Sequence, residues 1–407
     1  MTTELRIDID RLVHRLQALG EVGALPGGGV CRLALSDEDR AGRDLVRRWM
    51  EQLGLQVSID PIGNMVGLWS GAEPGPPVMT GSHLDTVRTG GLYDGALGVL
   101  AGLEVIETLR EAGVTPRRSL AVAVFTNEEG ARFAPDMMGS LVFAGGMSVD
   151  EARAVVGIEG ATVGVELDRI GYAGTAEPMP VHAFVELHVE QGPVLEREGV
   201  RIGVVQRVQG ISWTEFTVRG VSNHAGTTPL SLRRDAGLVA ARTVGFVRQL
   251  AEQLGGDQIG TVGRLRLHPD LVNVIPNRAT FTVDLRNTDD AVLREAEARV
   301  HAEIQALAED EGCTVEHRSL ARFEPVVFDA ALVDRVQAAA EALGLSTRRM
   351  PSGAGHDAQM LARVCPAAMI FVPSVGGISH NVREHTEAVD LQAGADVLLQ
   401  VLYGLAG

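Results

Sequence analysis

The chain has 407 residues, 45% of them apolar, with a formal net charge of −17, which suits two domains of ordinary size with a sizeable core. No basic stretch is present that could track phosphates, so nucleic acid is not an expected partner. No run of roughly 18 apolar residues offers a membrane span. All 36 basic residues are arginine. That excludes a pyridoxal Schiff base, a lysine nucleophile and a P-loop lysine. Met1–Leu16 mixes Glu4, Asp8 and Asp10 with arginines and lacks the apolar run of a secretory leader. Cys31, Cys313 and Cys365 are far apart and odd in number, against a disulfide framework, so a reducing cytoplasm is expected.

In chain order, Val78-Met79-Thr80 leads into a polar string, and Val99, Leu103, Ile106 and Leu109 recur at helical spacing. Leu120–Phe125 is a continuous apolar run, as in a strand buried on both faces. Phe184–His188 reads as a further strand. This alternation predicts an α/β catalytic domain with a central sheet flanked by helices. Trp213–Val218 then alternates as a half-buried strand does. A helix is expected over Arg234–Leu254, strands over Thr261–Leu267, Val272–Ile275 and Ala279–Arg286, and a second helix over Ala291–Ala308. Two helices on a four-stranded antiparallel sheet form an α+β unit, so residues 213–326 read as an inserted domain between 1–212 and 327–407. The α/β pattern resumes with a helix at Ala331–Leu343, a strand at Ala368–Val372 and a helix at Leu391–Leu405.

Candidate metal ligands His83, Asp94, Glu129, His188 and His380 fall where strands end and turns begin. Open α/β sheets build their sites there. Mixed imidazole and carboxylate donors suit zinc, manganese, cobalt or nickel, and one shared carboxylate can bridge two ions. Taken singly, each residue is bland. A strand-end histidine is usually hydrogen-bonded structure, an acidic pair such as Glu128-Glu129 is usually solvated, and Asp94-Gly95 is a common turn. Together, with no lysine to pair them, they are costly unless something binds.

The local strings are more specific: Gly81-Ser82-His83-Leu84-Asp85-Thr86-Val87, Asp94-Gly95-Ala96-Leu97-Gly98, Asn127-Glu128-Glu129-Gly130, Glu186-Leu187-His188-Val189-Glu190-Gln191-Gly192-Pro193, Asn223-His224-Ala225-Gly226-Thr227-Thr228-Pro229, Pro276-Asn277-Arg278-Ala279, Gly355-His356-Asp357-Ala358 and Gly377-Ile378-Ser379-His380-Asn381. From about residue 5 to 405 the chain resembles the M20-type metallohydrolases. Within them it is similar to the branch of N-carbamoyl-L-amino-acid amidohydrolase, β-ureidopropionase and allantoate amidohydrolase. The resemblance implies two divalent ions per subunit (zinc, or manganese, cobalt or nickel). Asp94 would bridge them, His83 and His188 complete one site, and Glu129 and His380 complete the other. It implies Glu128 as general base and Asp85 as the partner orienting the His83 ring. It also implies Gln191, Asn277 and Gly377 as substrate contacts, Arg286 as reader of a substrate carboxylate, and His224 and His356 as stabilisers of a developing oxyanion. The expected substrate is a small ureido compound carrying a carboxylate, and the expected assembly is a homodimer made by the inserted domain, which also acts as a lid. Allantoate is the nearest alternative substrate. An aminopeptidase or peptide deacylase is opposed by His188 and Gln191, and a non-catalytic binding protein is opposed by the intact Glu128.

Overall fold

A computed structural model describes residues 5–407; Met1–Glu4, the start of the Met1–Leu16 stretch, lie outside the described residues. In chain order the strands are β1 (Gln56–Ile59), β2 (Met65–Trp69), β3 (Val78–His83), β4 (Leu120–Phe125), β5 (Ala183–Val189), β6 (Ile202–Val208), β7 (Gly210–Arg219), β8 (Ile259–His268), β9 (Arg278–Asn287), β10 (Thr314–Phe323), β11 (Val326–Val327), β12 (Thr347–Ser352) and β13 (Ala367–Val372). The chain divides into two compact units. One runs from the amino terminus to Gln206 and resumes at Val327–Gly407; the other is Arg207–Val326.

The first unit carries a mixed sheet in the order β1-β2-β4-β3-β5-β13-β6-β11, with β12 beside β6. Its centre, β4-β3-β5-β13, is parallel, and β2 and β6 close it on either side with antiparallel pairing. Every residue of β3, β4, β5 and β13 is buried, as strands covered by helices on both faces must be. The helix Ala96–Glu111, which contacts β3, β4 and β5, is apolar almost all round and buried along most of its length. A helix of that kind belongs inside a core rather than on a surface. The parallel strands all present their carboxyl ends on one side of the sheet, so His83, the loop after Phe125, and His188 gather there.

The second unit is a four-stranded antiparallel sheet in the order β10-β7-β9-β8, with helices Ala236–Leu254 and Asp290–Asp310 packed on it. Asp235 and Asp289 cap the two helices by accepting from backbone N–H groups of their first turns. Phe216, Val218, Phe281, Val283 and Leu285 on the sheet meet Val239, Val247, Leu293, Val300 and Ile304 on the helices. Truncating a core phenylalanine such as Phe281 to alanine would cost roughly 3–5 kcal/mol.

One expected strand is not formed. Val272–Ile275 is a turn whose sole ladder contact is an isolated bridge from Val274 to His224. Pro269 and Pro276 bracket it, and neither can donate to a ladder. The fourth strand is instead β10, paired with β7.

Candidate metal centre

The site is built from the carboxyl ends of the parallel strands. His83 ends β3, and its Nδ1 meets the backbone carbonyl of Asp85 at 2.9 Å. His188 lies one residue before the end of β5, and its Nδ1 meets the carbonyl of Val189 at 2.9 Å. A carbonyl can only accept, so each ring carries a proton on Nδ1 and turns Nε2 inward. The neutral tautomer with its proton on Nδ1 is the form that a metal takes up. Both Nε2 atoms approach the same oxygen of Asp94, Oδ1, at 3.6 Å from His83 and 3.3 Å from His188. The other oxygen, Oδ2, faces His380 Nε2 at 3.5 Å, and His380 Nε2 lies 3.2 Å from Glu129.

Two triads therefore share one residue: His83, Asp94 and His188, and Asp94, Glu129 and His380. Donors at about 2.0–2.1 Å from a tetrahedral ion lie about 3.3 Å from one another, close to the separations within each triad. The split of Asp94, one oxygen to each triad, fits a binuclear metal site. Gly95 has φ +65° and packs against the His83 imidazole so closely that a Cβ there would stand under 3.0 Å from three ring atoms.

Glu128 stands beside the cluster without joining either triad; its carboxylate is 3.3 Å from His83 Nε2. Three of the six described non-glycine residues with positive φ lie at or beside these ligands. Asn127 (φ 57°), just before the Glu128-Glu129 pair, Gln191 (φ 59°) and His380 (φ 53°) all adopt left-handed backbone without being glycine, which costs of order 1–3 kcal/mol each and is held by its surroundings. For Asn127 those surroundings are explicit: its amide donates to the carbonyls of Phe133 and Pro135. Two buried arginines brace the same loops. Arg32 donates to the carbonyl of Leu84, between His83 and Asp85. Arg43, paired with buried Asp39, donates to the Thr126 hydroxyl.

The electrostatics follow from burial and mutual approach. Burial opposes charge on His83 and His188, but Glu128 and Asp94 for the first, and Asp94 for the second, hold both above the ordinary imidazole range. Asp94 is driven up by burial and more strongly down by the two histidines, so it is held well below the usual carboxylate range. Burial, with Asp357, Glu129 and Asp94 nearby, pushes Glu128 well above the carboxylate range against the pull of His83. The hydrogen bond that His380 donates to the Glu129 carboxylate raises His380 to about 9 over the opposing effect of burial. Bound cations would draw Glu128 back down, hold Asp94 lower still and displace protons from the histidines.

Asp85 differs from expectation. Its carboxylate does not touch the His83 ring, which is oriented by the Asp85 backbone carbonyl. The two carboxylate oxygens instead accept from the backbone N–H groups of Glu128 and Glu129, at 3.2 Å each. Gln191 donates from Nε2 to Asp94 Oδ2 at 2.9 Å, and its Oε1 is buried without a hydrogen-bond partner. Gly377 has φ +65° and abuts Pro193, with no room for a Cβ. Its N–H is used by Ser374, leaving its carbonyl. His356 is buried at the start of the short helix Asp357–Leu361; its Nε2 meets Ser352 Oγ at 2.9 Å and burial keeps it neutral.

His224, Asn277 and Arg286 lie on the second unit. The exposed His224 accepts on Nδ1 from the N–H groups of Gly226 and Thr227, so its proton sits on Nε2. Asn277 pairs with His268 at 2.9 Å. Arg286, on the sheet face opposite the apolar one, is held by Asp284 through Nε and Nη2 and lies over the Trp213 ring.

Residues outside the expected set also support the site. Glu186 is fully buried, shares the His188 face of β5, and accepts from Ser82 Oγ at 2.6 Å and from the Ala358 N–H at 2.8 Å. The period of two along a strand puts Glu186 and His188 on one face, which was the available signal. Glu384 accepts from the N–H groups of Tyr93 and Asp94; no local pattern marks it.

The chain matches the family described as Peptidase family M20/M25/M40 over residues 79–404. It is 43% identical to an N-carbamoyl-L-amino-acid amidohydrolase of Rhizobium meliloti, covering 98% of this chain and 96% of that protein. It is 37% identical to the allantoate amidohydrolase of Escherichia coli, covering 100% of this chain and 99% of that protein. Among solved structures, an amidase of the hydantoinase/carbamoylase family from Burkholderia multivorans superposes with a TM-score of 0.92 at 45% identity, covering 99% of this chain and 98% of that one.

Proposed function

The chain belongs to peptidase family M20/M25/M40, and from that premise we propose that it is a metal-dependent amidohydrolase. Its reaction is cleavage of the carbamoyl C–N bond of N-carbamoyl-L-amino acids, or of N-carbamoyl-β-alanine, to ammonia, carbon dioxide and the amino acid. The observation that carries this reading is Asp94 with one oxygen facing each triad, next to a Glu128 that belongs to neither. Likeness over nearly the whole chain to the Rhizobium meliloti enzyme supports the substrate class.

His83, Asp94 and His188 would hold one ion, and Asp94, Glu129 and His380 the other. Their donor types suit zinc, manganese, cobalt or nickel. Such ions polarise the carbamoyl carbonyl and make water acidic near neutral pH. Glu128 takes the proton of the attacking water and gives it to the departing nitrogen, a use open to a carboxylate that stands beside the triads and belongs to neither. Arg286 and Asn277 hold the substrate carboxylate; the planar guanidinium can grip both oxygens. Gln191 offers its unpartnered Oε1, and Gly377 its carbonyl, to the ureido N–H groups. His224 and His356 stabilise the oxyanion; the proton on His224 Nε2 is available for that donation.

The same reading includes a homodimer through the second unit. Its edge strand β8 and neighbouring helix leave Leu238, Val244, Ile259, Leu265 and Leu267 exposed, an apolar edge of the sort that pairing covers. Three unpaired cysteines favour the cytoplasm. Among the described residues no helix is long and apolar enough to cross a membrane.

The test is release of ammonia and free amino acid from a panel of N-carbamoyl-L-amino acids, N-carbamoyl-β-alanine and allantoate. The purified protein is loaded with zinc, manganese, cobalt or nickel, with and without chelator. Turnover of N-carbamoyl amino acids, lost on chelation and restored by metal, is expected. Preference for allantoate, the substrate named for the Escherichia coli relative, would move the protein to that activity. With dipeptides assayed alongside, turnover of dipeptides alone would overturn the proposal.

A further inference from the structure

Asp94 and His380 are separated by most of the carboxyl-terminal two-thirds of the sequence, yet the shared site needs them at a fixed separation. Asp94 ends the glycine-rich turn that leads into the helix Ala96–Glu111. His380 follows the Val375–Gly377 turn after β13. At the rim, Thr89 Oγ1 reaches the His380 carbonyl at 3.5 Å and Tyr93 Oη reaches His385 at 3.4 Å, both at the limit of a hydrogen bond. Between them lies Glu384, 5% exposed. One of its oxygens accepts from the N–H of Tyr93 at 3.0 Å and from the N–H of Asp94 at 3.1 Å. Its other oxygen lies 3.2 Å from Ser379 Oγ, which also lies 3.0 Å from Asp94 Oδ2. The turn is shaped to receive this side chain: a Cβ at Gly91 would stand under 3.0 Å from a Glu384 carboxylate oxygen and from its Cβ and Cδ.

We propose that Glu384 is a positioning residue of the binuclear site: by clamping the backbone at Tyr93 and Asp94 to the turn that carries His380, it sets Asp94 between the two triads. The proposal rests on the reading of the site as a metal centre given above. It is a claim about geometry. A negative charge near two cations would raise their affinity wherever it stood, whereas the clamp requires an acceptor oxygen at one place.

The two ideas separate in a set of variants. Glu384→Gln keeps the side-chain length and an oxygen able to accept both N–H groups, and loses the charge. Glu384→Asp keeps the charge and is one methylene short. Gly91→Ala keeps Glu384 and obstructs its seat. Cobalt(II) is titrated into metal-free full-length protein and binding is followed by absorption and by metal content after dialysis, with circular dichroism and a thermal melt on each metal-free sample. Glu384→Ala, Glu384→Asp and Gly91→Ala should each lower cobalt affinity by at least about tenfold, the scale on which removal of supporting hydrogen bonds acts at metal sites. Glu384→Gln should stay within a few-fold of wild type. Retention of affinity by Glu384→Asp with loss in Glu384→Gln would overturn the proposal in favour of charge. Wild-type affinity in Glu384→Ala or Gly91→Ala would overturn it outright. If Glu384→Ala does not fold, the Gln and Asp variants still decide. A wild-type protein that binds no cobalt would instead refute the metal-centre reading itself.

Discussion

Replacing Asp85 by alanine tests where the structure departs from the motif. The carboxylate, 1% exposed, receives the N–H groups of Glu128 and Glu129. Its removal leaves two donors without partners. A buried polar group stripped of its partner costs about 1–3 kcal/mol, so the direct cost is roughly 2–6 kcal/mol, nearer the lower end where the loop can turn to water. The same change frees the backbone that carries the general base and one ligand of the second triad, while the His83 ring keeps its carbonyl contact. Asp85→Asn should lie between, because its amide offers one acceptor oxygen and sets an N–H₂ against the other backbone donor. Urea unfolding of the metal-free proteins measures the stability cost. Cobalt absorption spectra show which ion survives: the spectrum of Asp85→Ala should match that of Glu129→Gln rather than that of His83→Ala. Wild-type stability in Asp85→Ala, or a spectrum matching His83→Ala, would refute the reasoning and return Asp85 to the role of ring orienter.

Arg286→Ala should keep full metal content and raise KM for N-carbamoyl amino acids by at least about tenfold, the value of a lost charge-assisted pair. An amidated substrate should be poor for the wild type and lose little more in the variant; an unchanged KM would leave Arg286 a surface residue. Metal uptake at pH 7 should release protons, because His380 (about 9) and His83 are held above the ordinary imidazole value before metal arrives. Calorimetry in buffers of different ionisation enthalpy reads this, and no proton release would contradict it. His380 has its folded value raised above 6.5. The stability it contributes to the metal-free protein is therefore fully present below pH 6.5 and lost as pH rises through about 9. Thermal melts of metal-free protein should fall over that interval, and those of metal-loaded protein should not.

The parallel sheet was legible because strands buried on both faces leave unbroken apolar runs such as Leu120–Phe125. His83, Glu129 and His188 were legible because each sits at or just beyond the end of a buried strand, and Asp94 because it stands in a glycine-rich turn before a helix. Strand β10 was not. Its sequence is rich in charge, and a register shift between Ser319 and Ala321 moves its apolar positions out of a single period of two. Val272–Ile275 misled for the opposite reason: three of its four side chains are apolar, but proline stands on both sides. Glu384 was invisible because its partners are backbone N–H groups about 290 residues away, and an acidic residue in a polar loop has no period to betray it. Asp85 shows a finer limit. The spacing from His83 says that the two residues are neighbours, and only coordinates say that the carbonyl faces the ring while the carboxylate faces the next strand's loop.

The central claim is that a base outside both triads acts on water within a binuclear site. Glu128→Gln measures it most directly, because the amide keeps the shape and cannot take a proton. Two metal equivalents per subunit should remain, while kcat for N-carbamoyl amino acids falls by about a hundredfold or more. Loss of a metal equivalent would make Glu128 a ligand, and near-normal turnover with both metals in place would contradict the account.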